Sequence, residues 1–203
     1  MPHVTTAMSM SLDGFVAGPG NTPDNPLGDG GARLHEWVRP LASWRRMHGM
    51  SGGETGPADD IVAAYSADPG VVVMGRRMFD EGSRAWGAEP PFHGPVLVLT
   101  HRGGDPVERG ATTVEFVTDG VHAALARARE LAFDRPVHVA GGADVVQQFL
   151  TADLIDVFDL HLVPITLGSG TRLFAGLSDD LRLVPVSAVN DAGVTHLRYS
   201  AAR

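Results

Sequence analysis

The sequence predicts one α/β domain spanning residues 1–203, with a mixed, mainly parallel central sheet, helices on both faces and antiparallel strands at the C-terminal end. Three observations carry this expectation. Short apolar runs bounded by turn residues recur at Val71-Val72-Val73-Met74, Val96-Leu97-Val98-Leu99-Thr100 and Val137-His138-Val139-Ala140, the pattern of strands buried on both faces. Helical patterns alternate with these runs, which is the signature of parallel βαβ units. The last third, with Ile155 to Pro164, Leu181 to Ala188 and Val194 to Tyr199, lacks long helical patterns, so antiparallel strands are expected to complete the sheet.

In chain order, Gly18 to Ala32 and Gly49 to Pro57 are rich in Gly, Pro, Asn and Asp and read as loops long enough to be functional. Between them, Arg33 to Met47 carries Leu34, Trp37, Val38 and Leu41 at helical spacing, with Pro40 placed to kink or end the helix. A short helix is expected at Ala58 to Ser66. Asp119-Gly120 leads into a helix from Val121 to Ala132, with Val121, Leu125, Ala128 and Leu131 on one stripe. Gly141-Gly142 opens another, carrying Val145, Val146, Phe149 and Leu150. No internal repeat is present.

Composition removes several function classes. The net charge is −8, so no broad basic surface exists for nucleic acid or an anionic bilayer, and any anionic ligand needs a local cluster of cations. All 16 cations are Arg; without Lys there is no Schiff-base chemistry and no Walker A lysine. The absence of Cys removes thiolate nucleophiles, redox pairs and disulfides. The first residues, Met1-Pro2-His3-Val4-Thr5-Thr6, lack the features of a signal peptide and no stretch approaches a membrane span, so a soluble cytoplasmic protein is expected.

Three motifs fail on inspection. Gly49-Met50-Ser51-Gly52-Gly53 matches G-x-S-x-G, but a helix end precedes it and a loop follows, where a serine hydrolase needs a strand and then a helix. His35-Glu36 opens H-E-x-x-H, yet Arg39 stands where the second ligand belongs, and the remaining histidines are scattered, so no metal site is expected. No G-x-G-x-x-G occurs, so a dinucleotide would have to bind by another arrangement.

One constellation survives. The strand Val71 to Met74 runs into Gly75-Arg76-Arg77, the strand Val96 to Leu99 into Thr100-His101-Arg102, and the strand Val137 to Ala140 into Gly141-Gly142-Ala143-Asp144 at a helix start. Guanidinium groups pair bidentately with phosphate oxygens, and a glycine pair before a helix lets backbone amides approach a pyrophosphate. In an open α/β sheet, ligands gather beyond the carboxyl ends of the strands, where all three turns lie. Three arginines against a negative chain favour a cofactor with an extra phosphate, NADPH over NADH.

Met8-Ser9-Met10-Ser11-Leu12-Asp13-Gly14-Phe15-Val16-Ala17, Val73-Met74-Gly75-Arg76-Arg77-Met78-Phe79, Leu97-Val98-Leu99-Thr100 and Ala140-Gly141-Gly142-Ala143 resemble, in order and spacing, the dihydrofolate-reductase-like superfamily. The likeness is closer to the branch with the reductase domain of the riboflavin-biosynthesis deaminase-reductase, which Gly168-Ser169-Gly170-Thr171-Arg172-Leu173-Phe174 also resembles. The resemblance implies a three-layer dihydrofolate-reductase-like fold and NADPH as hydride donor to a small pterin- or pyrimidine-like heterocycle. It implies contacts of Gly75, Arg76, Arg77, Thr100, His101 and Arg102 with the 2′-phosphate and pyrophosphate region. Gly141, Gly142, Ala143 and Asp144 would meet the pyrophosphate, Ser9 and Val16 would flank the nicotinamide, and a homodimer is expected by the same analogy.

The region Gly31-Ala32-Arg33-Leu34-His35-Glu36-Trp37 lacks an acid at the position where dihydrofolate reductases carry one. Proton-donor candidates are therefore Asp13, His35, Glu36 and His93, with Asp13 and Glu36 as the catalytic assignment. A rival reading is a nucleotide-binding or sensing module that keeps the cofactor cleft without turnover. Asp159 and His161, at i and i+2, are expected on a solvated strand face.

Overall fold

Alternating strands and helices wind into a nine-stranded sheet in the order β10-β11-β8-β1-β7-β3-β4-β6-β5, with a separate antiparallel pair formed by β2 and β9. The structure, a computed structural model, describes residues 1–66, 68–86, 90–92 and 94–202. The strands are β1 (Val4–Ser11), β2 (Phe15–Ala17), β3 (Val71–Gly75), β4 (Val96–Leu99), β5 (Val107–Arg109), β6 (Thr112–Val117), β7 (Val137–Gly141), β8 (Val157–Val163), β9 (Thr171–Arg172), β10 (Leu183–Asp191) and β11 (Val194–Ala201). The helices are α1 (Ala42–Met47), α2 (Pro57–Ser66), α3 (Arg76–Ala85), α4 (Gly120–Ala132) and α5 (Ala143–Thr151).

Five neighbouring pairs are parallel: β8 with β1, β1 with β7, β7 with β3, β3 with β4 and β4 with β6. The apolar runs at 71, 96 and 137 are central strands, and alternation of side chains divides each between two cores. On one face Val71, Val73, Leu97, Val137 and Val139 pack against Ala124, Leu125 and Ala128 of α4 and Val145, Val146 and Phe149 of α5. On the other, Val72, Met74, Val96 and Val98 pack with Phe79 of α3, while Val163 and Val194 pack with Leu34, Trp37, Leu41, Ala58 and Val62.

Two expectations are corrected. The strand expected at Ile155 to Pro164 pairs parallel with β1, not antiparallel, because α5 is a crossover that returns the chain in the same direction as β7; antiparallel pairing begins with β11 and continues to β10. The helix expected at Arg33 to Met47 is divided into a 3₁₀ segment, Gly31–His35, a run of turns through Pro40, and α1. Proline lacks the amide for an internal helical bond, and the Pro40 carbonyl instead accepts from Glu54 N–H at 2.8 Å. Pro185 is tolerated because β10 is an edge strand with a register shift between Pro185 and Ser187. Among the described residues no helix is long and apolar enough to cross a membrane.

Candidate functional site

Parallel pairing aligns the carboxyl ends of β3, β4, β6 and β7 along one edge of the sheet, and the turns leaving them border a cavity of about 640 Å³. Three helices begin there: α3 at Arg76, α4 at Gly120 and α5 at Ala143, and none of the three has a side-chain cap at its N-terminus. Uncapped helix starts leave backbone N–H groups unsatisfied and concentrate positive dipole ends, so their convergence favours negative charge in this cavity. In α5 the first helical bond runs from Val146 N–H to the Gly142 carbonyl at 3.2 Å, leaving the preceding amides available.

Ser9, Val16, Gly75, Arg76, Arg77, Thr100, His101, Arg102, Gly142, Ala143 and Asp144 all border this cavity. Gly141 does not. It is buried behind the wall at φ 123°, a conformation that favours glycine, and its peptide to Gly142 is cis. A side chain at Gly142 would meet nothing within 4 Å, so its backbone faces open space. A Cβ at Gly75 would lie 3.0 Å from Val145, which explains the close approach of β3 to α5.

The three arginines are held at the mouth. Arg76 donates through Nε to Asp80 at 2.7 Å and stacks over Phe116 at 5.3 Å from the ring centre. Arg102 reaches the same carboxylate at 3.5 Å, and its backbone N–H donates to the Thr100 hydroxyl at 3.0 Å. Arg77 reaches the Asn21 side-chain oxygen at 3.5 Å. The Asp144 carboxylate accepts from Gln148 at 2.8 Å. Sequence reasoning did not single out Thr118 and Gly120, which bring the end of β6 and the start of α4 to the same cavity; the Asp119-Gly120 helix start was the available signal.

A second chamber of about 660 Å³ adjoins the first, and Ala7, Ser9, Leu27, His35, Met78, Glu81 and Ala140 border both. Its far walls carry Trp37, Trp44, Tyr65, Trp86, His138 and His161. Tyr65 stacks on His138 with ring centres 5.3 Å apart and 7° between planes. Burial holds the His138 imidazole down at about 4, and burial followed by the charge of Arg39 holds His35 at about 4, so both rings are neutral near pH 7. Burial and then the charge of Asp159 push the Tyr65 phenol up.

Neither residue of the catalytic assignment, Asp13 or Glu36, borders the two chambers. Asp13 accepts from the Ser11 hydroxyl at 2.6 Å and from the backbone N–H groups of Leu167 and Gly168 at 3.2 and 2.7 Å. The Ser11 hydrogen bond is the largest cause of its fall to about 2, so Asp13 is an ionised clamp on the loop before β9 and holds no proton to give. Glu36 is exposed and borders neither chamber. His93 lies outside the described residues.

Glu81, which the sequence analysis did not select, borders both chambers; burial raises its carboxyl, partly offset by Arg77 and reinforced by Asp80. Its signal in the sequence was the helical spacing from Arg77. Asp159 and His161 are buried, at 3% and 2% exposure, rather than solvated, because β8 is interior to the sheet and its face is covered. Asp159 accepts both Nε and Nη2 of Arg198, at 2.7 and 2.9 Å. Among the described residues no group of three or more acidic or histidine side chains is placed to hold a metal ion. Ser51 sits in an exposed loop, without the strand–turn–helix context of a hydrolase nucleophile.

Comparison with known proteins gives a family and a fold. The family described as RibD C-terminal domain matches residues 2–197. A solved protein named for riboflavin biosynthesis, from Shewanella sp. PV-4, superposes with TM-score 0.71 at 22% identity over the whole of both chains. Dihydrofolate reductase from Enterococcus faecalis, complexed with NADP(H), has TM-score 0.59 at 15% identity, covering 99% of this chain and 97% of its own. The diaminohydroxyphosphoribosylaminopyrimidine deaminase/5-amino-6-(5-phosphoribosylamino)uracil reductase of Thermotoga maritima has TM-score 0.62 at 15% identity; 99% of this chain is covered, and it spans 57% of that longer protein. At these identities the likenesses show the fold.

Proposed function

The chain belongs to the RibD C-terminal domain family, and on that premise we propose that it is an NADPH-dependent reductase of a small pterin- or pyrimidine-like heterocycle. The observation that carries this reading is the convergence of three uncapped helix starts and three arginines on one cavity, joined to an aromatic second chamber. The residues fit the cofactor. Arg76, Arg77 and Arg102 supply the local positive charge that a net −8 chain otherwise lacks, and the open backbone at Gly142 admits a phosphate close to the start of α5.

When bound, the nicotinamide cofactor supplies a hydride. The protein's part is to orient and to exclude water. Ser9 and Val16, both buried, would flank the nicotinamide, while Gly142, Ala143 and Asp144 would hold the pyrophosphate through backbone amides. Thr100 and His101 would complete the phosphate side. Glu81, on the border of the two chambers with its carboxyl raised, is the side chain we assign to deliver a proton to the reduced ring.

Titration with NADPH and NADH, followed by a turnover screen of pterins, pyrimidines and flavins, tests the proposal. Tighter binding of NADPH together with its oxidation by a heterocycle is the expected result. Binding without oxidation by any of them would favour the sensing module instead, and equal affinity for both cofactors would remove the phosphate assignment. The expected homodimer is supported by Val184 and Val186, which are 46% and 58% exposed on edge strand β10, and is tested by sedimentation.

A further inference from the structure

Three polar side chains form a row across the sheet beside the second chamber: Ser9 of β1, His161 of β8 and His196 of β11 stand opposite one another in register. Trp37 covers the row, its ring centre 4.7 Å from that of His161 and 4.8 Å from that of His196, and it donates its indole N–H to Ser9 at 3.2 Å. The two imidazoles meet through Nδ1 atoms 2.9 Å apart. His161 borders the chamber and is buried, yet among the described residues its Nε2 has no hydrogen-bond partner. A buried polar atom left unpaired is costly, so it calls for an explanation.

The protonation of that atom follows from its neighbours. Nε2 of His196 lies 3.2 Å from the carbonyl oxygen of Asp191, which can only accept, so Nε2 of His196 carries the hydrogen. Nδ1 of the neutral His196 ring is then a bare acceptor, and Nδ1 of His161 must donate to it. The neutral His161 ring is left with a lone pair on Nε2. Burial, together with His196, His35 and Arg198, holds His161 low, at about 3. The nearest carboxylate on the same strand face, Asp159, is engaged by Arg198 in a two-point ion pair.

We propose that Nε2 of His161, sealed from solvent in this structure, is a recognition acceptor that takes an N–H from a flat, uncharged heterocycle once the Trp37 and Tyr65 rings packed against it shift to admit the ligand from the second chamber. This rests on the two-chamber reductase reading and names its substrate class. Among the described residues the chamber's border carries one permanent cation, Arg46, against the carboxyl groups of Asp68 and Glu81, so their charge does not select a phosphorylated molecule. The indoles of Trp37, Trp44 and Trp86 and the phenol of Tyr65 offer planes for a flat ring. A site that presents a buried acceptor discriminates against a ligand without the matching donor, because the acceptor is then left unpaired.

Two measurements test it on the intact protein. ¹⁵N spectra of the histidine ring nitrogens, assigned with His161→Phe and His196→Phe, should show Nε2 of His161 unprotonated and Nδ1 protonated; a protonated Nε2 would overturn the proposal without any ligand. Quinazolin-4(3H)-one and its N3-methyl derivative form a matched pair of flat, neutral probes differing in one ring N–H. The N–H probe should bind about tenfold more tightly to the native protein, and His161→Phe should abolish that difference. Equal affinities for the native protein, or a difference that survives in His161→Phe, would overturn the proposal. NADPH titration run in parallel separates the two readings: NADPH binding without probe discrimination sinks only the recognition role, whereas discrimination without NADPH binding sinks only the reductase reading.

Discussion

Asp80 accepts the Arg76 guanidinium at 2.7 Å, and its second oxygen lies 3.5 Å from Arg102, so one carboxylate spaces two of the three arginines at the mouth of the first chamber. Arg102 is the more exposed of the two, at 72% of its side chain against 29% for Arg76. Arg76 also stacks on Phe116, so its removal disturbs packing as well as charge. Arg102→Ala therefore isolates the electrostatic contribution. NADPH affinity should fall about tenfold, the weight of one charge-assisted hydrogen bond, while NADH affinity stays within about twofold. Titration by fluorescence quenching with both cofactors checks this.

Glu81→Gln keeps the size of the side chain and removes its proton. We expect cofactor affinity within about twofold of native and a fall in turnover of about 10²-fold or more, the usual scale of general acid catalysis. Single-turnover rates beside NADPH titration separate the two effects. Unchanged turnover would remove Glu81 from the mechanism.

Asp13 is ionised in the folded protein down to about pH 2, against an ordinary value of 3.8. A carboxyl depressed on folding stabilises the native state above its unfolded pKa, and that contribution is lost as pH falls from about 4 towards 2. Asp13→Asn should lower the melting temperature at pH 7 and flatten the acid limb in that window. Thermal unfolding at pH 2–7 measures both.

His35, His138 and His161 are held at about 4, 4 and 3, below the ordinary 6.5, chiefly by burial. The unfolded chain then binds more protons than the native one between those values, so stability rises with pH through the interval from about 4 to 6.5 and levels off above it. Each such group contributes a slope of up to about 1.4 kcal/mol per pH unit. His138→Phe keeps a ring against Tyr65 but gives up the 3.0 Å contact with Thr5, and it should shallow the slope. Denaturant midpoints across pH 4–7.5 report it.

Gly170 has φ 131°, and a Cβ there would lie 2.1 Å from the carbonyl oxygen of Ala17. Gly170→Ala should destabilise by about 1–3 kcal/mol from backbone strain, with a further cost from displacing β2. Because Thr171 borders the first chamber, NADPH affinity should fall with stability. Calorimetry and titration on the same preparation test the coupling.

The sequence alone determined the sheet's centre and the cofactor-side turns. Val71 to Met74, Val96 to Leu99 and Val137 to Ala140 are apolar without interruption, so they can only be strands covered on both faces, and the Arg and Gly residues that follow them had to emerge at strand ends. β1, whose apolar residues are interrupted by Thr and Ser, was not identified, nor were the strand at 112–117 and the short β2, β5 and β9, which are brief or partly exposed and held by pairing with neighbouring strands.

Tertiary structure decided everything that depends on which residues meet across the chain. The parallel direction of β8 follows from the α5 crossover, and with it the burial of Asp159 and His161 that local alternation read as solvated. Asp13 was visible as an acid in a loop two residues from Ser11, whose hydroxyl does most to hold its carboxyl low; the further lowering by the amides of Gly168 and Leu167, about 150 residues away, exists only in the folded chain. Glu36 sits in the stretch read as a helix over Arg33 to Met47 and stays exposed on the turns before Pro40, whereas the packing of α3 brought Glu81 to the border of the two chambers. Hydrophobic periodicity is a local property that a chain carries with it, whereas charge environment and hydrogen-bond satisfaction arise between segments and exist only once those segments are packed.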